Sequence, residues 1–542
     1  MTVEDVQGAP QARPKRIAVI GSGISGLSAA WLLNRDPSFS VTLYEAGSYI
    51  GGHTHTVDIP TLDDPAKTVP VDTGFIVCNP VTYPNFLSLM DELDVALDKT
   101  DMSFSVSRNK GEFEWCGDGL KGVFCNAKNL NPFAEGFTDG GVWRMVYDVL
   151  RFHKEAKEIA READLKTFDE SGKPLADIAQ KDQVHPLTGE TLADFFAKRD
   201  YSRFFYENYI VPMTAAIWST PADMTFDQFP VLTLFKFMRN HQLLQIGGRP
   251  KWMTVNQGSR TYVNRILAHL PDVRLQTAIT SLHRDLANPT SPRITLTDNK
   301  GAVEVFDHVI IATHTDQALK ILGEEATVEE RKVLGGIKYV KNRLVLHRDE
   351  ELMPKTRTAW AAWNYLTSSS SSPTGPAHSP TVCLTYYMNT LQPHLTQHDC
   401  GTVLATLNPL YEPDARKVLG EWEYEHPLYS PQTIRAQEGM NGVQNAAGVA
   451  FAGAWTNYGF HEDGCTSGLL AALALGCAPP PFPVHLNGGY PTTRTTLPPP
   501  AWAAAMGVKP YAPAPPEVHK MVHRVKETGK GVGTWVRMAG VG

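Results

Sequence analysis

The 542-residue sequence predicts an α/β protein with an α+β two-domain layout, in which a parallel-sheet domain is interrupted by a largely helical block that also carries antiparallel strands. Three observations predict this. A short strand, a glycine-rich turn and a helix run from Arg16 to Asn34 and lead into a second strand at Ser40–Tyr44, the compact spacing of a β-α-β unit. Farther on, Val142, Met145, Val149, Phe152, Ala156 and Ile159 recur at the three-to-four step of an amphipathic helix. Strand-like runs then return, and a last apolar helix follows Gly468.

Bulk properties narrow the function classes. The length exceeds one compact core, and 42% hydrophobic with 20% charged residues is ordinary for a soluble protein. A net charge of -7 gives no basic field for a polyanion, which sets nucleic acid aside. The apolar run Gly468–Cys477 falls well short of the roughly 20 residues that span a bilayer, so no transmembrane helix is expected, with peripheral membrane contact left open. The N-terminus lacks the apolar stretch of a secretory signal, and the expectation is an intracellular protein, cytoplasmic or peripheral to a membrane. Seven scattered cysteines without a C-x-x-C pair read as reduced thiols, with no metal site.

In chain order, helix is expected at Val142–Ala163, at Thr191–Ala197 with Thr191 as cap, and around Phe204–Ile210. Strands are expected at Val273–Leu282, Ile294–Leu296 and Phe306–Ala312, with a helix at Gln317–Leu322. Three further strands, Asn342–Leu346, Thr381–Tyr387 and Val403–Leu407, are interrupted by a Ser-rich loop from Thr367 to Pro380. Past Cys477 dense proline and a weakly basic end read as an extended tail.

The turn after the first strand, Gly21-Ser22-Gly23-Ile24-Ser25-Gly26, fits G-x-G-x-x-G. Gly21 permits the tight turn, Gly23 lets the backbone approach a pyrophosphate, and Gly26 lets the helix pack on the strand. The helix start then offers unpaired N–H groups to phosphate. Glu45, ending the second strand, can accept hydrogen bonds from ribose hydroxyls and disfavours a 2′-phosphate. These features predict a Rossmann-like domain of the FAD/NAD(P)-binding type.

The continuation Glu45-Ala46-Gly47-Ser48-Tyr49-Ile50-Gly51-Gly52-His53 resembles the E-x5-G-G-R extension of the flavin amine oxidase superfamily, with His53 where Arg is usual. Thr277–Leu282 around Ile279, Phe306–Asp316, and Val449–Ala454 with Glu462–Gly468 resemble further superfamily segments in the right order, the last being its second flavin signature. The resemblance implies an FAD-dependent oxidoreductase. It implies non-covalent FAD, because no cysteine lies between Cys400 and Cys465. It assigns cofactor binding to Gly21, Ser22, Gly23, Ile24, Ser25, Gly26, Glu45, Ala46, Gly51, Gly52, His53, Gly74, Phe75, Ile279, Gly453, Ala454, Glu462, Asp463 and Thr466.

Val71–Asn85, Asp101–Ser107, Tyr209–Pro221, Ala359–Tyr365, Thr385–Gln392, Thr406–Pro409 and Tyr458–Gly464 narrow the likeness. Over Lys15–Cys477 the chain resembles the amine-oxidase-type flavoproteins associated with, or fused to, cyclopropane fatty acid synthase. This implies fatty acid modification: hydride transfer from a C–H to flavin N5 that oxidises, desaturates or isomerises an unsaturated or methyl-modified acyl lipid. A methyltransferase partner is expected as a separate chain. The aromatic-rich Phe204–Leu244, with Trp360, Trp363, Tyr386 and Tyr387, offers a wall for an apolar ligand. His461 stands where amine oxidases place a cage tyrosine, which argues against simple amine oxidation and puts an imidazole able to move protons near neutral pH beside the flavin. His461 and Glu462 are the candidates for proton transfer, with Tyr458 and Trp455 as ring neighbours. Lys341 or Asn342 falls near the strand where a superfamily lysine faces flavin N5. Two alternatives stay open: an amine or polyene (carotenoid-type) oxidase or desaturase, and a non-catalytic flavin-bound partner of a lipid methyltransferase. The expected division is a leader over 1–14, an FAD domain over 15–100, 245–333 and 441–478, a substrate domain over 101–244 and 334–440, and a tail over 479–542.

Overall fold

The computed structural model describes residues 13–117, 119–126, 129, 141–165, 185–187, 189–220, 229–244, 250–288, 292–368 and 382–485. Most of the Ser-rich loop, the leader up to residue 12 and the tail beyond 485 lie outside the described residues.

β1 (Lys15–Ile20) buries Ile17, Ala18, Val19 and Ile20, which leaves it no solvent face and suits it to the middle of a parallel sheet. α1 (Ile24–Asn34) crosses from β1 to β2 (Phe39–Tyr44), and both strands run parallel. β9 (Val273–Arg274), β13 (His308–Ile311) and β19 (Val449–Phe451) complete a five-stranded parallel sheet in the order β19-β13-β1-β2-β9. Strands far apart in sequence are thus neighbours in space.

Two expected strands are each split. Val273–Leu282 divides into β9 and β10 (Ile279–Asp285), which pairs instead with β11 (Arg293–Asp298) and β12 (Val303–Phe306) in an antiparallel sheet. Gln276, at φ 52°, turns the chain between them. Phe306–Ala312 divides at Asp307, whose carboxylate accepts the Arg16 N–H at 2.8 Å and pairs with Arg13. Apolar runs carry no mark of which sheet each half joins.

Two short antiparallel pairs, β3 (Thr56–Pro60) with β4 (Thr68–Asp72) and β5 (Leu97–Lys99) with β8 (Met253–Val255), flank a larger sheet. That sheet is built from β6 (Phe104–Arg108), β7 (Phe113–Cys116), β14 (Tyr339–His347), β15 (Trp363–Thr367), β16 (Cys383–Tyr387), β17 (Leu404–Leu407) and β18 (Val418–Pro427). Its order is β18-β14-β17-β16-β15-β6-β7. β6, β7, β15 and β18 were not among the expected strands. β18 nonetheless alternates Glu421, Glu423 and Glu425 with Trp422, Tyr424 and His426, a period-two pattern.

Helices that pack around these sheets include α2 (Pro84–Glu92), α3 (Gly141–Leu165), α4 (Leu192–Ala197), α5 (Val211–Trp218), α6 (Val231–Asn240), α7 (Arg260–Leu267), α8 (Thr315–Leu322) and α9 (His461–Ala474). Thr191 caps α4, its hydroxyl accepting the Asp194 N–H, as expected of that residue. The helix expected at Phe204–Ile210 is longer. It starts at Arg203, passes through a π-turn at Tyr206–Ile210 and continues into α5, where Pro212 offers no N–H to the helix and the Asn208 carbonyl four residues back accepts Trp115 Nε1 at 2.9 Å instead.

α9 and α1 are buried along almost their whole lengths and pack on each other. Their contact depends on missing side chains. A Cβ on Gly468 would stand 2.0 Å from the Ser25 carbonyl oxygen, and one on Gly464 would stand 2.7 Å from Ile24 Cγ2. Ser28 Oγ donates to the Cys465 carbonyl at 3.1 Å across the same seam. Gly468→Ala is therefore expected to destabilise the protein by at least about 2 kcal/mol, because backbone cannot yield as a flexible side chain does. Gly442→Ala, where the added methyl meets nothing within 4 Å, is the control and leaves the thermal midpoint unchanged or raised.

Candidate active site

Three loops converge at the start of α1. Gly21 turns the chain at φ 101°. A Cβ on Gly52 would stand 3.1 Å from the Gly23 Cα, so the glycine fingerprint and the Gly-Gly loop meet backbone to backbone. The Ser22 hydroxyl joins them, accepting the Gly51 N–H at 3.1 Å while donating to Glu45 Oε2. Gly74 approaches as closely: its Cβ would lie 2.1 Å from the His53 carbonyl oxygen, which accepts the Phe75 N–H at 2.8 Å.

Space remains beside these backbones. No side chain caps α1, its first turn holds no acid, and a Cβ on Gly23 would meet nothing within 4 Å. His53 Nε2 is buried without a hydrogen-bond partner. Uncapped amides beside an open, glycine-lined recess and a buried unpaired imidazole nitrogen fit the diphosphate and sugar portion of FAD. Glu45 receives Ser22 N at 3.0 Å on Oε2 and Gly47 N at 2.7 Å on Oε1, which leaves lone pairs for a ribose. The Thr277 N–H donates to the Glu45 carbonyl at 2.7 Å, bringing the buried Ile279 segment alongside, and Ala46 lies exposed on the rim.

The second motif is fastened to the first by α9. Gly453 N donates to Ser467 Oγ at 3.0 Å, and Gly453 has no room for a side chain beneath the Trp455 ring. Trp455 Nε1 donates to the Thr313 carbonyl at 3.1 Å, and the Ala454 carbonyl accepts the Gly459 N–H. Asp463 holds the helix start by accepting the Phe460 N–H and the Asn457 side-chain amide, each at 2.9 Å.

His461 and Glu462 part company here, since consecutive residues of a helix point about 100° apart. His461 stacks on Phe75 at 3.7 Å between centroids, with Phe86 edge-on at 5.0 Å. Its Nε2 lies 2.9 Å from the Tyr262 hydroxyl, itself 2.5 Å from Thr54 Oγ1. Burial in this aromatic box pushes the His461 pKa down to about 3, which holds the imidazole neutral near neutral pH. Glu462 turns to α2, its two oxygens accepting Asn85 N and Phe86 N at 2.8 Å each. Burial holds its pKa well above the usual carboxylate range, against the pull of those two N–H groups. Thr466 faces the same way, accepting Asn85 Nδ2 at 2.7 Å. The Tyr458 ring packs on Phe237 at 5.6 Å, and its carbonyl accepts Trp218 Nε1 at 3.2 Å.

Sequence reasoning missed a histidine cluster. The rings of His314 and His426 lie 6.1 and 5.4 Å from that of His53, and Tyr424 lies at 5.3 Å. The register of β14 points Lys341 outward to Glu423 at 2.7 Å and Asn342 inward, where its Nδ2 lies 3.0 Å from His426 Nδ1. Burial, then mutual repulsion, lowers the pKa of His53 and of His426, the latter to about 4.

Cross-strand pairs define the inner face of the large sheet: Phe104, Trp363, Tyr386, Ala405 and Leu346 in one row, and Trp115, Val106, Tyr365, Leu384, Leu407, Leu344 and Trp422 in the next. Phe104, Trp363, Tyr386 and Trp422 keep part of their surface uncovered. The outer face carries a polar ladder instead, with His347 Nε2 at 2.7 Å from Thr406 Oγ1 and Thr406 at 2.8 Å from Thr385. None of the seven cysteines forms a disulfide, and among the described residues no helix is long and apolar enough to cross a membrane.

Two outcomes follow from this geometry. Gly23→Val is expected to lower FAD retention at least about tenfold by filling the recess, while the apoprotein melts close to the parent; equal FAD affinity by titration of the apoprotein contradicts the site. Neutral imidazoles stabilise the fold fully above pH 6.5, their ordinary value, and that contribution is lost as pH falls toward the depressed folded values. The thermal midpoint of His426→Asn should accordingly depend less steeply on pH between about 6.5 and 4 than that of the parent.

Known proteins agree with this architecture. The fold resembles a CLA-producing fatty acid isomerase from P. acnes (TM-score 0.56, 15% identity, covering 84% of this chain and 97% of that one). It also resembles cyclohexylamine oxidase from Brevibacterium oxydans IH-35A (TM-score 0.58, 15% identity, covering 85% and 100%). A protoporphyrinogen oxidase of Schizosaccharomyces pombe is 44% identical over 59 residues, 11% of this chain and 12% of that protein. The family model described as flavin containing amine oxidoreductase matches residues 24–475. The chain therefore belongs to the flavin containing amine oxidoreductase family and is an FAD-dependent oxidoreductase.

Proposed function

We propose that the substrate is an apolar acyl chain, unsaturated or methyl-modified, which the enzyme oxidises, desaturates or isomerises. The observation that carries this reading is the inner sheet face: its partly uncovered positions include the aromatics Phe104, Trp363, Tyr386 and Trp422, Arg108 is the one permanent cation among its paired positions, and none of them is acidic. An acyl chain needs no polar partner on such a wall, whereas a charged amine would be desolvated without a carboxylate. The fold similarity to a fatty acid isomerase supports the same direction. A separate lipid methyltransferase is the partner class that would make or consume a methyl-modified chain.

FAD, when bound, supplies the hydride acceptor. The residues of the chain do the rest. The amides at Gly21–Gly26 and Gly51–His53 and the Glu45 carboxylate bind and orient, and the aromatic face excludes water. His461, its Nε2 engaged by Tyr262, has Nδ1 left to pass or hold a proton as a neutral group. Glu462 is a positioning residue, fixing α2 and hence the Phe86 edge against His461.

Unsaturated and cyclopropane-containing fatty acids and phospholipids, set beside primary amines, test the reading by anaerobic flavin bleaching, with chromatography of the recovered lipid to catch isomerisation. Lipids should bleach the flavin or be converted. Bleaching by amines with every lipid unchanged overturns it. His461→Phe should lower turnover at least about tenfold while flavin content and thermal midpoint stay near the parent values.

A further inference from the structure

The outward face of α3 plays no part in the site above. On a helix turning about 100° per residue, Trp143, Tyr147, Leu150, Lys154, Lys157 and Arg161 fall within about 40° of one line. Trp143, Tyr147 and Leu150 are 50%, 58% and 48% exposed, and the three cations that continue the line are exposed too. The opposite face, with Met145, Phe152, Ala156 and Ala160 buried, packs on α6 and so cannot rotate to hide the stripe. Acids of α3 are turned aside. Asp148 is buried against Ser202, Glu155 pairs with Arg199, and the positions of Glu158, Glu162 and Asp164 lie about 60° or more off the line.

Single exposed apolar residues need no explanation. Three on successive turns, followed in the same register by three cations and no acid, form an interfacial pattern: aromatic rings suited to the headgroup level, then charges suited to lipid phosphate. We propose that this face of α3 docks the protein on the surface of a bilayer containing anionic lipid. The buried side of the same helix leads inward, with His153 Nε2 at 2.7 Å from the Tyr209 hydroxyl and the Tyr209 ring stacked on Trp115 of the inner sheet face. Docking thus sets the acyl-binding wall one helix away from the lipid. Only this last step, the purpose of docking, rests on the lipid-substrate reading.

The test uses the full-length, flavin-loaded protein and sedimentation with phosphatidylcholine vesicles, with and without phosphatidylserine. The parent should bind the mixed vesicles more tightly than the neutral ones, and less tightly as salt is raised. The triple variant Trp143→Ser, Tyr147→Ser, Leu150→Ser should lose at least about tenfold in partition to both. Lys154→Glu with Lys157→Glu and Arg161→Glu should abolish the preference for phosphatidylserine, and it carries the test alone if the triple variant fails to retain flavin. Parent and variants sedimenting alike overturn the proposal. So does a triple variant that turns a dimer into a monomer by light scattering with lipid binding unchanged, which assigns the face to a second copy. If vesicle binding needs the stripe while no lipid reduces the flavin, docking stands and the substrate reading falls.

Discussion

The structure depends on one constraint, that backbones meet where side chains would intervene. α1 must touch β1, α9 and the Gly51–Gly52 loop at once, and each contact falls at a glycine. A Cβ on Gly26 would sit 1.8 Å from the Gly21 carbonyl oxygen, one on Gly468 would collide with α1, and one on Gly52 would press on Gly23 at 3.1 Å. The result is a helix start whose amides stay uncapped beside a recess. A nucleotide diphosphate needs that arrangement, because its charge is met by dipoles already fixed in place.

The large sheet solves the complementary problem. Strict alternation sends Glu421 and Glu423 to water and Trp422 and Tyr424 inward, and the same parity runs across all seven strands. The centre of the inner face stays apolar without isolating the strands' polar residues, since Asn364, Thr385, Thr406 and His347 hydrogen-bond on the other face. One sheet thus separates an apolar wall from a polar ladder by the direction of alternate side chains.

Much of the cofactor region was legible because its determinants are local. G-x-G-x-x-G, Glu45 and Gly51-Gly52 each report on a turn or a strand end within a few residues, and the Thr191 cap does likewise. What was not legible is set by distance. Nothing near Asp307 or Gln276 tells which sheet the next strand joins, and β18 was overlooked because its Glu residues dilute the apolar signal. The histidine cluster gathers residues from three separate segments, so no window of sequence contains it. Adjacency misled once as well: His461 and Glu462 are neighbours in the chain, and helix geometry aims one at Tyr262 and the other at α2.

The departure at residue 53 follows from its surroundings. His53 is packed by His314, His426 and Tyr424. In the apoprotein a permanently charged guanidinium in that seat would meet imidazoles rather than a carboxylate pair, with little to offset the cost of leaving water. Imidazole escapes that cost by giving up its proton, as the lowered pKa of His53 records. The same holds for His426 and His461, so the junction of the cofactor recess with the aromatic wall is lined by neutral hydrogen-bonding rings. Neutral rings of that kind can orient a polar cofactor by hydrogen bonds without adding fixed positive charge to the site.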